Sequence, residues 1–432
     1  MRMETKSVLA GILTFALFVT GCANDEATDH HGEQHHEVEE QHDQKEHVHH
    51  EHHEQSSNDR EVLEKEAATA PSSFNERAEN GLLVENTKNV TRINQEDPVM
   101  ASIAVAQTVW PATHEENQPG TVIVAPVGDW QYSLAALTLV HHPNDGPLLY
   151  MDDSISEEVI AEINRLQPKG NDEGIQVLVV GNVDEQELTK LNDFQVQNIT
   201  GDSPADFAEK IEQIFFDTIG HVHPSVIIGS ADDEAIGYTV PTGNWIAHMN
   251  ESLLFVQNDE IPEETRQALE KREGEAIIYL AGPEHIISED VENELREYGT
   301  VHRVAGDDVV QQAIQFSSFK DEQTNFGWGI TTPGHGFVFT STETPELAIA
   351  AAPLAHLGKH APMLWLENGE VTDSIYRYLA TVKPAFKEDP TEGPYNHGYV
   401  IGTFGKISFE TQGVIDDKLE IVSITGDDHA HH

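Results

Sequence analysis

Short apolar runs recur along the chain in three groups that share one order. Each group opens with a run of aliphatic and β-branched residues, at 121–125 (TVIVA), 225–229 (SVIIG) and 336–341 (GFVFTS). A second run follows at 147–150 (PLLY), 252–255 (SLLF) and 362–365 (PMLW), and a third at 177–181 (VLVVG), 277–282 (IIYLAG) and 399–402 (YVIG). Runs this short and this continuously apolar predict strands buried in parallel sheets.

The segments between these runs have the patterns of helices. In the first group, residues 154–157 (SISE) offer a capping box, and apolar residues at 159, 160, 163 and 166 then share one helix face. In the second group, Pro262 stands at a helix start. The third group contains a stretch of small residues at 347–355 (LAIAAAPLA). Strands that alternate with helices in this way predict an α/β body.

A turn marker supports the division of the body into three units. The marker is a β-type residue followed by a turn with Gly-Asp, at 199–202 (ITGD), 304–307 (VAGD) and 424–427 (ITGD), with a degenerate first copy at 90–94 (VTRIN). Three units fit between four markers. We therefore assign repeat 1 to residues 88–198, repeat 2 to 199–302, and repeat 3, with a short acidic and His-containing tail, to 303–432.

The first 22 residues have the pattern of an export signal. Arg2 and Lys6 precede an apolar run at 8–19 (VLAGILTFALFV), which is too short to span a bilayer permanently. The run ends in 19–22 (VTGC), which resembles the lipobox of bacterial lipoproteins. This resemblance implies that Cys22 is lipidated and anchors the mature protein on the outer face of a membrane. The alternative is an ordinary secretory signal in which the cysteine is accidental.

Residues 23–87 are predicted to form a disordered tether, because the segment is rich in His and acidic residues and has almost no apolar periodicity. The tether is either a solvated stalk or a collector of divalent metal, since imidazole and carboxylate together suit Zn²⁺, Ni²⁺ or Cu²⁺. The candidate ligands for weak binding of Zn²⁺ or Ni²⁺ at many sites are His30, His31, His35, His36, His47, His49, His50, His52 and His53.

Composition narrows the class of function. The chain carries 24 Lys and Arg against 76 Asp and Glu, a net charge of −52, which argues against a nucleic-acid partner. The single cysteine excludes a disulfide framework within the chain and every multi-cysteine metal site. The sequence contains no nucleophile elbow, P-loop, dinucleotide fingerprint or HExxH motif, so we expect a protein without enzymatic activity.

The third unit contains residues 351–364 (AAPLAHLGKHAPML) and then 401–402 (IG), 407–408 (IS) and 414–416 (VID), an ending that the second unit repeats across 280–291. These residues resemble the cell wall binding repeat type 2 family. The resemblance extends over about residues 88–427. Family members are extracellular proteins of Gram-positive bacteria that hold proteins non-covalently on anionic wall polymers. The family implies three Rossmann-like repeats with small parallel sheets, packed as a pseudo-threefold unit behind the tether.

The resemblance also implies a set of polymer-binding residues. The family's Pro-Ile-Leu-Leu motif and the basic residue ahead of its turn marker map onto Pro147, Leu148, Leu149, Leu253, Leu254, Pro362, Met363, Leu364, Arg92 and Arg303. This chain departs from the pattern at Ser252, which replaces the proline, and after the marker, where Ser203 and Asp308 replace arginine. Because so acidic a body repels an anionic polymer, local basic pockets or bridging Ca²⁺ or Mg²⁺ would be needed.

Further residues have chemically suggestive spacing within the repeats. Three histidine pairs have the spacing of metal ligands: His141 with His142, His221 with His223, and His356 with His360, which share a face if their helix continues. Trp130, Trp245 and Trp365 recur near strand-helix junctions, where they could stack on sugars or pack in the core.

Two hypotheses of function follow. The first is a lipid-anchored, non-enzymatic surface protein whose three-repeat body binds an envelope polymer or partner. The second is an extracytoplasmic metal-binding lipoprotein in which the tether collects the metal and the body is a scaffold. A solute-binding lipoprotein of a transporter would have two lobes around a cleft, and three similar units argue against it.

Overall fold

The structure is a computed structural model that describes residues 58–75, 77–357 and 360–424. The predicted export signal with Cys22, all the histidines of the predicted tether and the acidic tail lie outside the described residues. Among the helices of the described part, none is both long and apolar enough to cross a membrane.

Fourteen strands are present in the described residues. They are β1 (Val90–Ile93), β2 (Val122–Pro126), β3 (Leu148–Met151), β4 (Val177–Val180), β5 (Val196–Ile199), β6 (Ser225–Ser230), β7 (Ser252–Val256), β8 (Ala276–Ala281), β9 (Gly299–Val304), β10 (Gly336–Ser341), β11 (Met363–Leu366), β12 (Ala385–Phe386), β13 (His397–Ile401) and β14 (Val422–Ser423). The longer helices span Pro98–Val109, Glu157–Leu166, Pro204–Ile219, Glu263–Glu270, Val309–Ser318, Asp373–Thr381 and Phe409–Leu419. The shorter ones span Trp130–Ala136, Glu185–Leu188, Ile236–Thr239, Gly243–Ile246, Glu289–Leu295 and Pro345–Ala351.

Three parallel sheets of four strands each form the body, as the three groups of apolar runs predict. Their strand orders are β3-β2-β4-β5, β7-β6-β8-β9 and β11-β10-β13-β1, and β12 and β14 form a separate pair. The α/β class with small parallel sheets in three repeats is therefore confirmed. The sequence pattern revealed three strands in each unit and missed the fourth, because β5 and β9 lie at sheet edges and carry polar residues at several positions.

The first strand of the body completes the last sheet. β1 pairs in parallel with β13, with Val90 opposite Gly398 and Ile93 opposite Ile401. In the other two sheets the equivalent edge strand, β5 or β9, lies at the end of its own repeat. The segment with the degenerate first turn marker thus belongs structurally to repeat 3, although its place in the sequence puts it at the start of repeat 1.

Helix starts depend on side-chain caps. Ser156 accepts a hydrogen bond from the backbone of Val159, so the helix begins at Glu157 and Ser156, rather than Ser154, is its cap. Ser203 caps the helix Pro204–Ile219 in the same manner, with proline in its first turn. Ser156 follows β3, whereas Ser203 follows β5 and begins a helix that packs against β7 of the second sheet.

Small residues allow the three repeats to approach one another closely. Each first strand is followed by short helical segments that end in tight turns, at Leu137–Leu139, Gly243–Ile246 and Ala352–Ala355. A Cβ atom on Gly243 would lie 2.9 Å from side-chain carbons of Leu134 and Leu137 and 3.8 Å from that of Ala352. Gly243 of repeat 2 therefore sits between the turns of repeats 1 and 3, and a larger side chain would not fit without displacement. We call this contact region the repeat junction.

Part of the predicted tether is ordered on the body. Residues 58–67 are helical, and Arg60 donates to the backbone carbonyl oxygens of Lys383 (2.8 Å) and Thr381 (2.6 Å). Lys418 likewise donates to the carbonyl oxygen of Thr69 at 3.2 Å. The structure differs here from the sequence prediction of disorder up to residue 87, because charged side chains anchor a segment that lacks its own apolar pattern.

Candidate histidine site at the repeat junction

Each repeat places one histidine directly after its turn at the repeat junction. His141 and His248 follow the turns of repeats 1 and 2 within two residues, and His356 follows that of repeat 3 immediately. His142 and His360 come from the same loops. We call these five residues the junction histidines.

The junction histidines lie in two contact groups. The rings of His141 and His142 have centroids 5.2 Å apart, and His356 of repeat 3 lies 5.4 Å from His141 and 6.0 Å from His142. In the second group, His248 and His360 are 4.6 Å apart, and Trp328 stacks on His248 at 5.3 Å. Each group therefore joins repeat 3 to one of the other repeats.

His356 makes a short hydrogen bond across the junction. Its Nε2 lies 2.6 Å from Oδ1 of Asp145 in repeat 1, and His356 itself is only 3 % exposed. Although burial raises the pKa of Asp145, the hydrogen bond and charge of His356 outweigh it and the net pKa is lowered. Because an ionised carboxylate can only accept, Nε2 carries the proton and donates. In the neutral ring, Nδ1 is then unprotonated and carries a lone pair.

Buried ring nitrogens without partners mark this site. In the described residues, ten buried side-chain polar atoms have no hydrogen-bond partner, and three of them are the Nδ1 atoms of His141, His248 and His356. Burial lowers the pKa of His141 and of His248 to about 4, with the neighbouring histidines adding to the effect. These two imidazoles are therefore neutral at physiological pH and have lone pairs free for a ligand.

The structure combines the predicted histidine pairs differently from their sequence order. His141 and His142 lie together, but His356 and His360 do not share a helix face, because the helical turn ends at Ala355 and His356 is extended. His221 and His223 lie apart from the junction and contact backbone carbonyl oxygens near their own positions. The sequence analysis missed His248, which has no histidine near it in the sequence and is recognisable only by its place after the second turn.

The strand residues assigned to polymer binding lie in the core. At most 1 % of each side chain is exposed at Leu148, Leu149, Leu253, Leu254, Met363 and Leu364, and Pro147 and Pro362 are also buried. They form or precede the edge strands β3, β7 and β11, which are covered by the helices that begin at Pro98, Pro204 and Val309. Their side chains shape the sheets and are not accessible to a polymer.

Arg92 and Arg303 take equivalent places in two sheets. Arg92 on β1 donates to the carbonyl oxygen of Gly402 and Arg303 on β9 to that of Gly282, both at 2.7 Å. Arg92 is buried, and burial lowers its pKa to about 10. Arg303 is partly exposed and pairs with Glu292 at 2.6 Å. Arg303 is thus the more exposed member of the pair, with 15 % of its side chain accessible.

The tryptophans that suggested sugar stacking are mostly buried. Trp245 and Trp365 are at most 4 % exposed, and their indole N–H groups donate to Glu251 and to the carbonyl oxygen of Gly237. Trp130 is half-buried against Phe255, with its ring edge-on at 6.0 Å. Core packing accounts for the first two.

Comparison with known proteins supports the fold. No protein-family model matches the sequence, and no curated protein matches it. Similar solved structures include the Clostridium difficile cell wall proteins Cwp6, with a TM-score of 0.62 and 15 % identity over 82 % of this chain, and Cwp8, with a TM-score of 0.58 and 16 % identity over 77 %. This chain spans about half of each, 52 % of the neighbour's length. At such identity the likeness establishes the fold alone.

Proposed function

We propose that this chain is a cell-surface protein whose three-repeat body associates non-covalently with a polymer or partner of the cell envelope. The observation that carries the proposal is the fold, three four-stranded parallel sheets of one topology, which resembles that of the cell wall proteins Cwp6 and Cwp8. The export signal and the lipobox around Cys22 support a lipid anchor on the outer face of the membrane. The absence of catalytic motifs from the sequence supports a role in binding rather than catalysis.

The binding surface has to lie outside the buried strands. An open cleft of about 570 Å³ is lined by Pro283, Glu284, His285, Arg303 and Ala305, where the chain leaves β8 and β9. Ligands of parallel sheets bind beyond the carboxyl ends of the strands, and this cleft has that position. Arg303 and His285 are its groups for an anionic polymer, and Arg303 is the residue of the set implied by the family resemblance that is partly exposed, with 15 % of its side chain accessible.

The charge of the body sets a condition for this binding. Residues 61–432 hold 63 acidic and 20 basic residues, so long-range electrostatics repel an anionic polymer at low salt. Bridging Ca²⁺ or Mg²⁺ would remove that repulsion, because both prefer carboxylate and phosphate oxygens. We therefore expect polymer binding to strengthen with either cation and to fall with a chelator.

Co-sedimentation with isolated cell walls tests the proposal. The full chain carries Cys22→Ser, so that no lipid contributes, and is mixed with intact walls or with walls stripped of secondary polymers, with Ca²⁺ or with chelator. We expect binding to intact walls only, lost with Arg303→Glu and retained with the exposed control Arg377→Glu. No binding to intact walls under any condition would contradict the proposed function.

A second candidate function is the capture of divalent metal by the tether, which its histidine-rich composition supports. Replacing residues 24–53 by a Gly/Ser linker of equal length should leave wall binding unchanged if the first function holds. If metal capture is the main role, the same replacement should abolish the metal tolerance of cells, whether or not wall binding changes.

A further inference from the structure

The junction histidines combine buried ring nitrogens with exposed rings, and neither the fold nor the proposed wall binding requires this chemistry. A structural core at this position needs small apolar residues, as the turns of the junction show. Each unpaired buried nitrogen instead costs free energy. Two such atoms, Nδ1 of His141 and Nδ1 of His356, lie in the first contact group and therefore call for a partner that accepts a lone pair.

His356 has the hydrogen bonding that is typical of a metal-binding histidine. Metal-binding histidines commonly donate one ring N–H to a carboxylate, which fixes the tautomer and leaves the other nitrogen for the metal. Asp145 provides this carboxylate at 2.6 Å from Nε2, and the free Nδ1 is buried and without a hydrogen-bond partner. The residue is 97 % buried, so bulk water does not supply the missing partner.

Two further imidazoles lie at the distances that a shared ion requires. The three ring centroids of His141, His142 and His356 are 5.2, 5.4 and 6.0 Å apart, and the rings are inclined at 69° to 74° to one another. Three imidazoles around one ion at 2.0–2.1 Å from each nitrogen have centroids separated by roughly 5–6 Å. His142 is exposed and gives the position a route to solvent.

We propose that His141, His142 and His356 bind one divalent transition-metal cation of the Zn²⁺, Ni²⁺ or Co²⁺ class, with Asp145 orienting His356. The site links repeats 1 and 3 and is distinct from both the tether and the Arg303 cleft. Imidazole nitrogens select such cations over Ca²⁺ and Mg²⁺. In the described residues no group of three candidate ligands is already arranged to hold an ion, so binding requires the rings to turn. The exposed ring of His142 is the one free to do so.

The bound ion would hold the two repeats together. His141 and His142 belong to repeat 1 and His356 to repeat 3, so a single ion stabilises their contact in addition to the packing around Gly243. A ligand that binds only the folded state raises its stability by mass action. The thermal midpoint should therefore rise with added Zn²⁺.

The test uses the full chain in a background that removes competing ligands. The ten histidines at residues 30–53 and the three of the tail, all outside the described residues, are replaced by serine. Titration with Co²⁺, followed by its visible absorption and by displacement with Zn²⁺, should give one saturable site per chain. His142→Gln, His356→Gln and Asp145→Asn should each lower the affinity at least tenfold, whereas the exposed His285→Gln should not change it.

The outcomes separate the proposal from a merely structural role. His142→Gln changes an exposed side chain and should fold normally, so its loss of Co²⁺ absorption and of the Zn²⁺-dependent rise in thermal midpoint cannot come from unfolding. Absence of saturable binding in the background without the tether and tail histidines would overturn the proposal. Affinity that is unchanged by His142→Gln and His356→Gln would overturn it as well.

Discussion

The guanidinium group of Arg92 donates to the carbonyl oxygen of Gly402 at 2.7 Å, across 310 positions of the sequence. Further hydrogen bonds from the same group reach Gln412 at 2.6 Å and the carbonyl oxygen of Ile407 at 2.9 Å. Arg303 makes the same contact with Gly282 in the second sheet, and Asn198 donates to Gly181 at 3.0 Å in the first. Each edge strand is thus fixed to the glycine that ends its neighbour, where φ lies between 126° and 136°.

Loss of the Arg92 side chain should weaken the closure of the third sheet. Arg92→Ala leaves three buried acceptors without a donor, and we expect the free energy of unfolding to fall by about 3 kcal/mol in urea denaturation. Arg377→Ala, an exposed change in the helix Asp373–Thr381, should change it by less than about 0.5 kcal/mol. Equal effects of the two substitutions would show that Arg92 does not hold β1 in place.

The repeat junction should not tolerate a large residue at Gly243. The backbone there is helical, so Gly243→Leu acts through crowding against Leu134 and Leu137, and we expect a loss of about 2–3 kcal/mol in the free energy of unfolding. Leu134→Ala opens space at that point. The double variant should therefore be less destabilised than the sum of the single variants, whereas strict additivity would place the crowding elsewhere.

The free energy of unfolding should fall when one partner of the buried ion pair of Glu212 and Arg272 is removed. Their side chains are at most 1 % exposed, with Nη2 and Oε1 2.7 Å apart. Glu212→Leu leaves the guanidinium uncompensated, so denaturation should report a loss of about 3–5 kcal/mol. Glu212→Leu combined with Arg272→Met should recover much of it. A double variant as unstable as Glu212→Leu alone would contradict the electrostatic origin of the loss.

Glu251 should make stability fall as pH rises. Burial raises the pKa of its carboxyl from 4.5 to about 7, despite the hydrogen bond from Trp245, so the folded state holds a proton that the unfolded state has lost. Between about pH 4.5 and 7 this group lowers the free energy of unfolding by about 1.4 kcal/mol per pH unit. Below about pH 4.5 the carboxyl is protonated in both the folded and the unfolded state, so stability no longer changes with its titration.

Glu251→Gln should therefore be more stable than the unmodified chain at pH 8, with a difference that shrinks toward pH 4.5. Glu260→Gln, at an exposed position, should show no such dependence. Denaturation curves at several pH values measure both. A pH-independent difference for Glu251→Gln would mean that its carboxyl is ionised in the folded state.

The sequence predicts the repeats well because buried parallel strands have to be continuously apolar. The runs at 121–125, 225–229 and 336–341 each overlap the first strand of a sheet. The sequence does not predict that β1 completes the third sheet, because nothing in an edge strand with one polar face identifies the strand with which it pairs. Likewise His248 joins the site only through the packing of three turns, which local spacing does not encode.

The closure of the third sheet by β1 sets an order of events during folding. Residues 90–93 are synthesised before any other strand of the body, yet their partner β13 at His397–Ile401 follows some 300 residues later. The first two sheets can form before β13 is made, while β1 remains unpaired. The protein is therefore most open to proteases and to mispairing at this edge of the third sheet until the last repeat is complete.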